Sequence, residues 1–142
     1  MLQQVLDDYQ IRFFRAGELT LLRRFGTHAE VPKALIPNII PTVRIADTIR
    51  AAYGSPILVV SGMRPDSYNK LVGGSPTSEH TVFKALDLRP ADGDMARFRV
   101  IVAAVVQAYR DMGVNVGLGY YNTFIHIDTN AIGKTRNRTW KT

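Results

Sequence analysis

The feature that most restricts this chain is a pair of short strand-like runs that carry metal-ligating residues. One is Lys84 to Leu88, entered from the stretch Ser78-Glu79-His80-Thr81-Val82-Phe83-Lys84-Ala85-Leu86-Asp87. The other, much later, is Phe124-Ile125-His126-Ile127-Asp128. Alternate side chains of a strand share a face, so Phe124, His126 and Asp128 lie together while Ile125 and Ile127 turn to the core. Two imidazoles and a carboxylate form one of the sets that catalytic zinc sites use, with the fourth position left open for water. Alone, His126 reads as a hydrogen-bonded structural histidine, and Asp87 as a strand-end carboxylate paired with Arg89. Together with His80 they read differently, because three ligand types then fall at strand edges in an otherwise apolar sheet.

Composition narrows the chemistry. The 142 residues are one domain's worth, and 46% of them are apolar, enough for a sizeable core. No apolar run approaches the length that spans a bilayer. Cysteine is absent, which excludes disulfides and a cysteine-based structural zinc and leaves His, Asp or Glu as metal ligands. The start, Met1-Leu2-Gln3-Gln4-Val5-Leu6-Asp7-Asp8, lacks the basic and apolar regions of a signal peptide, so synthesis in the cytoplasm without one is expected. A net charge of +6 favours polyanions: nucleic acid, an anionic membrane or an anionic cell wall. Lys134, Arg136, Arg138 and Lys141 cluster near the end and read as a solvated tail.

Periodicity places the remaining elements. The segment through Arg24 has no clean period and reads as an irregular entry followed by a short helix around Ala16 to Arg24. Gly26, Pro32 and Pro37 mark a loop that contains His28, an ordinary surface histidine. Ile39, Val43, Ala46, Ile49 and Tyr53 recur at helical spacing over Asn38 to Tyr53, and Gly54 stops that helix. Pro56 to Val60 reads as a fully buried strand. Pro65 to Leu71 allows one helical turn, and Gly73 to Pro76 is loop. Asp94 is a fitting N-cap for a helix with the stripe Phe98, Val102, Val105, Tyr109 and Met112, closed by Gly113. Val114 to Leu118 and Phe124 to Asp128 are strands joined by Gly119-Tyr120-Tyr121-Asn122. The expected fold class is α+β, with helices on a small, mostly antiparallel sheet.

These residues carry a resemblance. Ser78, His80, Ala85 and Asp87 fit the S-x-H-x-x-G-x-A-x-D signature of the zinc D-alanyl-D-alanine carboxypeptidases, peptidoglycan peptidases with a hedgehog/DD-peptidase-like fold. Ser61-Gly62-Met63-Arg64-Pro65 and Tyr68 to Gly74 resemble that family's S-G-x-R-x and N-x-x-V-G-G segments. Phe124 to Asp128 is similar to its F-[VI]-H-[VI]-D strand, and the ending with Arg138 and Trp140 also fits. The likeness covers roughly the last two-thirds of the chain.

The resemblance implies Zn2+ held by His80, Asp87 and His126, with the metal activating a water and polarising a scissile carbonyl. It implies that Arg64 faces the oxyanion or the substrate's terminal carboxylate. Ser78 either orients the substrate or turns the loop, and Tyr120 and Tyr121 either wall the cleft or pack in a hairpin. Two departures stand out. Phe83 occupies the signature glycine and is expected to reshape the cleft. Thr123 and Phe124 occupy the positions where relatives carry the general base, and neither accepts a proton. Asp128 is then the base or the partner that orients a ligand histidine, with Glu79 as a further candidate base.

The expected function is a zinc metallopeptidase acting on stem or cross-link peptides of bacterial peptidoglycan, as a carboxypeptidase or endopeptidase. The basic charge would hold it to the anionic wall as a monomeric phage or prophage lysis protein, or as a virion component. The alternative is a non-catalytic zinc-binding or assembly module of the same fold. A nucleic-acid-binding reading rests only on charge and the Lys134 to Lys141 tail.

Overall fold

A computed structural model describes residues 1–129 and 137–142. The chain starts with helix α1 (Leu2–Asp8), which buries Leu2 and Leu6, one turn apart. Helix α2 (Ala16–Thr20) follows, and Glu18 Oε1 accepts the Arg15 amide at 3.0 Å, satisfying a donor at its N-terminus. The helix expected to reach Arg24 instead ends at Thr20. Leu21 takes an extended backbone, and a small hairpin forms from β1 (Leu21–Leu22) and β2 (Thr27–His28). Gly26 supplies the positive φ of 67° in its turn. His28 is exposed, as expected, with Nδ1 3.2 Å from Thr20 Oγ1.

A 3-10 turn (Lys33–Ile39) leads into helix α3 (Ile40–Tyr53), whose buried face includes Val43, Ala46, Ile49 and Tyr53. Pro41 sits in its first turn, where no amide partner is needed, and Gly54 ends it at φ 75° with its N–H bonded to Arg50 O. Asp47 of α3 accepts the amides of Arg12 and Phe13 at 2.9 and 2.8 Å, tying the N-terminal segment down.

Strand β3 (Ile57–Ser61), helix α4 (Asp66–Leu71), a 3-10 turn (Glu79–Val82) and strand β4 (Ala85–Pro90) come next. Helix α5 (Met95–Asp111) is capped by Asp94, which accepts the Arg97 amide at 3.1 Å. It buries Phe98, Val102, Val105 and Val106. Tyr109 packs partly against the core, but Met112 lies beyond the helix and is 69% exposed, so the stripe ends one turn earlier than its spacing suggests. Strands β5 (Val116–Tyr120), β6 (Ile125–Thr129) and β7 (Arg138–Lys141) complete the chain.

The main sheet has the order β3-β4-β6-β5-β7, antiparallel throughout except for the parallel pair β5–β7. This is the α+β architecture read from the sequence. Leu86, Leu88, Val116, Leu118, Ile125 and Ile127 join the apolar cluster that includes the buried faces of α3 and α5. Burying each such side chain contributes about 1.5–3 kcal/mol. Period 2 then forces Asp87, His126 and Asp128 onto the opposite face.

Two expectations fail at the sheet edges. β3 is not fully buried: Leu58 and Val60 are only partly covered, because β3 has a single strand neighbour among the described residues. Arg23 Nη2 donates to Val59 O at 2.8 Å, occupying part of its open edge. The C-terminal residues are not simply a solvated tail, since Arg138 and Lys141 belong to β7. Lys134 and Arg136 lie outside the described residues.

Candidate metal centre

His80 stands on the 3-10 turn that precedes β4. Ser78 Oγ accepts the His80 amide at 3.2 Å and caps that turn. Phe83 ends it in the left-handed region, φ 58° and ψ 47°, which explains why a glycine suits this position. Its side chain is fully buried in the core cluster and does not line the cleft. The expectation that Phe83 reshapes the cleft is therefore corrected: the left-handed backbone carries its ring into the core.

Asp87 of β4 and His126 of β6 are register partners, and the sheet places them side by side below His80. His126 Nδ1 lies 2.9 Å from Asp87 Oδ1, and His80 Nε2 lies 3.3 Å from Asp87 Oδ2. Ligand atoms of the three residues all fall within 4.8 Å of one another. His80 and Asp87 are buried, and His126 is nearly so.

The donors fit a cation. His80 Nδ1 sits 2.8 Å from Gly62 O, and a carbonyl can only accept, so Nδ1 carries a proton. In the neutral ring, Nε2 is then a bare lone pair. Among the described residues that buried nitrogen has no hydrogen-bond partner, and it faces a carboxylate oxygen. Two acceptors held this close call for a positive charge between them.

Electrostatics agree. Burial pushes the Asp87 carboxyl up, but the neighbouring His80 and His126 imidazoles outweigh it and hold it far below the usual carboxylate range. Burial pushes His126 down, yet its bonds to Asp128 and Asp87 prevail and raise it to about 9. In the metal-free protein His126 thus carries a proton that a metal would displace.

Asp128 occupies the other side of His126. Its Oδ2 lies 2.7 Å from His126 Nε2, and Arg138 Nη2 reaches both of its oxygens at 2.7 Å. Burial pushes Asp128 up, while His126 and Arg138 bring it below the usual range. It is 1% exposed, with both oxygens engaged.

Arg64 lines the cleft, held by three side chains. Nε donates to Ser61 Oγ at 2.8 Å, Nη1 to Asn69 Oδ1 at 3.4 Å and Nη2 to Asp87 Oδ2 at 3.2 Å. Asp87 thus pairs with Arg64 and the two histidines rather than with Arg89, which is exposed. Buried Asn69 also donates to Ser75 O at 2.8 Å, and Gly74 leaves room for it, since a Cβ there would collide with its side-chain oxygen. The Asn69 to Gly74 segment therefore pins the cleft's rim.

The cleft has a volume of about 390 Å3, and Ser78, Glu79, Tyr121, Phe124 and Trp140 contribute to its walls. Tyr121 stacks on Phe124 with centroids 4.6 Å apart, and Trp140 Nε1 donates to Tyr121 Oη at 3.1 Å. Tyr120 is not part of it. As the last residue of β5, Tyr120 points to the core side of the sheet and borders a separate hollow with Arg99 and Val100. The sequence offers Arg138 and Trp140 only as an ending that fits the resemblance, with Arg138 also in the cationic tail, and assigns neither Trp140 to the cleft nor Arg138 to Asp128.

A family model described as Peptidase M15 matches residues 14–128. The chain belongs to the Peptidase M15 family. No curated protein gives a significant match. The M15 match takes in all three residues of the His80–Asp87–His126 group and ends at Asp128, before β7. Peptidases of this family depend on a metal, and that group is this M15 chain's candidate site for one.

Proposed function

We propose that this M15 protein is a zinc metallopeptidase that hydrolyses stem or cross-link peptides of bacterial peptidoglycan, as a D,D-carboxypeptidase or endopeptidase. The observation that carries the reading is His80 Nε2, buried against Asp87 beside His126 Nδ1 and without a hydrogen-bond partner among the described residues. No cysteine competes for the metal, and a nitrogen–oxygen set with an open position is the form that catalytic zinc takes. Zinc bound there would polarise a peptide carbonyl and make water nucleophilic near neutral pH.

The chain's own residues do the rest. Arg64, with its guanidinium tethered on the cleft wall, is placed to meet negative charge on the substrate, either the oxygen that gains charge or a terminal carboxylate. Ser78 and Tyr121 offer hydroxyls to orient the peptide, and Phe124 and Trp140 add apolar wall. Asp128 has both oxygens bound and meets the Nε2 side of His126, away from Asp87, so we assign it the role of orienting His126. Glu79 also stands on the cleft wall, and we assign it the role of proton acceptor.

A charge of +6 suits adhesion to an anionic wall, and a phage lysis protein or virion component is the setting we favour. A second reading, a zinc-binding module without catalysis, draws on Thr123 and Phe124 at the usual base positions and on the engagement of Asp128. Hydrolysis of purified wall peptides, with and without a chelator, decides between them. We expect chelator-sensitive cleavage that fails in Glu79→Gln. A zinc-loaded wild type inert on every wall peptide would leave the module.

A further inference from the structure

Strand β5 presents a bare stripe to the cleft side of the sheet. It reads Val116-Gly117-Leu118-Gly119-Tyr120, and Val116 and Leu118 lie in the core, so Gly117 and Gly119 share the other face. The register gives them specific neighbours. Gly117 stands between Asp128 of β6 and Arg138 of β7, and Gly119 stands between His126 and Trp140. Two cross-strand rows result: Ala85, Asp128, Gly117, Arg138 and, beside it, Asp87, His126, Gly119, Trp140.

Strands are spaced about 4.8 Å apart, so Arg138 is two spacings from Asp128. An arginine spans that gap only if nothing stands between. A Cβ on Gly117 would collide with Arg138 Nη2 and come within 2.6 Å of Asp128 Oδ1. A Cβ on Gly119 would come within 2.5 Å of the Trp140 indole. The absence of both side chains lets Arg138 and Trp140 lie across β5 and reach β6. There Arg138 Nη2 bonds both oxygens of Asp128, and the Trp140 ring lies 5.4 Å from that of His126.

We infer that Arg138 is a positioning residue of the metal centre, acting across the Gly117–Gly119 stripe through Asp128 upon His126. The inference rests on the zinc-peptidase reading only in taking zinc as the ion. A carboxylate held by Arg138 cannot swing away, and it accepts the Nε2 proton of His126. That fixes the tautomer whose free lone pair is on Nδ1, the nitrogen beside Asp87. The metal centre then extends one strand past the region that matches the family.

Two variants test this by different routes. Arg138→Gln removes the guanidinium, while Gly117→Ala keeps it and obstructs its path. Zinc affinity is measured by chelator competition, and ligand geometry by the absorption spectrum of the cobalt(II)-substituted protein. Both variants should lose about ten- to a hundredfold in zinc affinity, with an altered cobalt spectrum. A merely structural role would lower the melting temperature of the metal-free protein and leave affinity and spectrum unchanged. Wild-type affinity and spectrum in either folded variant overturns the inference, as does failure of both to fold. A wild-type protein that binds no zinc would instead defeat the reading on which the inference rests.

Discussion

The two rows across the sheet solve opposite electrostatic problems. In the row through Asp87 and His126, the carboxylate lies beside the Nε2 of His80, which has no hydrogen-bond partner among the described residues, with Arg64 at the rim. In the row through Asp128, the carboxylate is matched by Arg138 and accepts from His126. The first row is left incomplete by the unpartnered His80 Nε2, and the other is complete in the polypeptide alone. In the proposed reading, ligand positions are marked by an unpartnered buried nitrogen beside a carboxylate, and supporting positions by acceptors already satisfied.

Substitution in the incomplete row should have the largest effect. Asp87→Asn removes the only anionic ligand of the three, and we expect it to abolish both zinc retention and turnover while the fold persists. Metal content after gel filtration, with circular dichroism as a control, reads this. Stoichiometric zinc in Asp87→Asn would break the comparison.

At the rim, Arg64→Lys should lower turnover by about a hundredfold, the loss typical of one oxyanion donor, because an ammonium cannot reproduce the planar fork. Zinc content should hold. Unchanged steady-state kinetics would reduce Arg64 to a structural tether of Ser61 and Asn69.

The complete row should respond more mildly. Asp128→Asn should weaken zinc by about ten- to a hundredfold, with turnover restored by excess zinc. If activity instead fell and stayed low at saturating zinc, Asp128 would be the proton acceptor and the two rows would share the chemistry.

The smallest effect is a pH dependence. His126 stands at about 9 in the metal-free fold against an ordinary value of 6.5. A raised value contributes stability that is fully present below 6.5 and is lost as pH rises through 9. The melting temperature of the metal-free protein should therefore fall across that window, and that of the zinc-loaded protein should fall less. Parallel profiles would mean that zinc does not replace the His126 proton.

Legibility in the sequence followed the length of the repeating pattern. Helices α3 and α5 repeat their apolar stripes over several turns, and β6 alternates cleanly, so its polar face was readable. Helix α1 shows only Leu2 and Leu6, too few positions to set a period. Strand β7 offers four residues, of which Trp140 is the only large apolar one, and its pairing partner depends on sheet order. Phe83 marks another boundary: the motif identifies a glycine position, but only the left-handed backbone shows that the ring goes inward. Similarly, strand alternation put Asp128 beside His126 but not Arg138 beside Asp128. That contact depends on two glycines in a strand between them.

The central claim is that His80, Asp87 and His126 hold one zinc. X-ray absorption at the zinc edge, on protein loaded to saturation and freed of excess metal, tests it most directly. The account predicts one zinc per chain, with two imidazole nitrogens and carboxylate oxygen at about 2.0–2.2 Å. A shell containing fewer than two imidazoles, or a protein that retains no zinc, would contradict it.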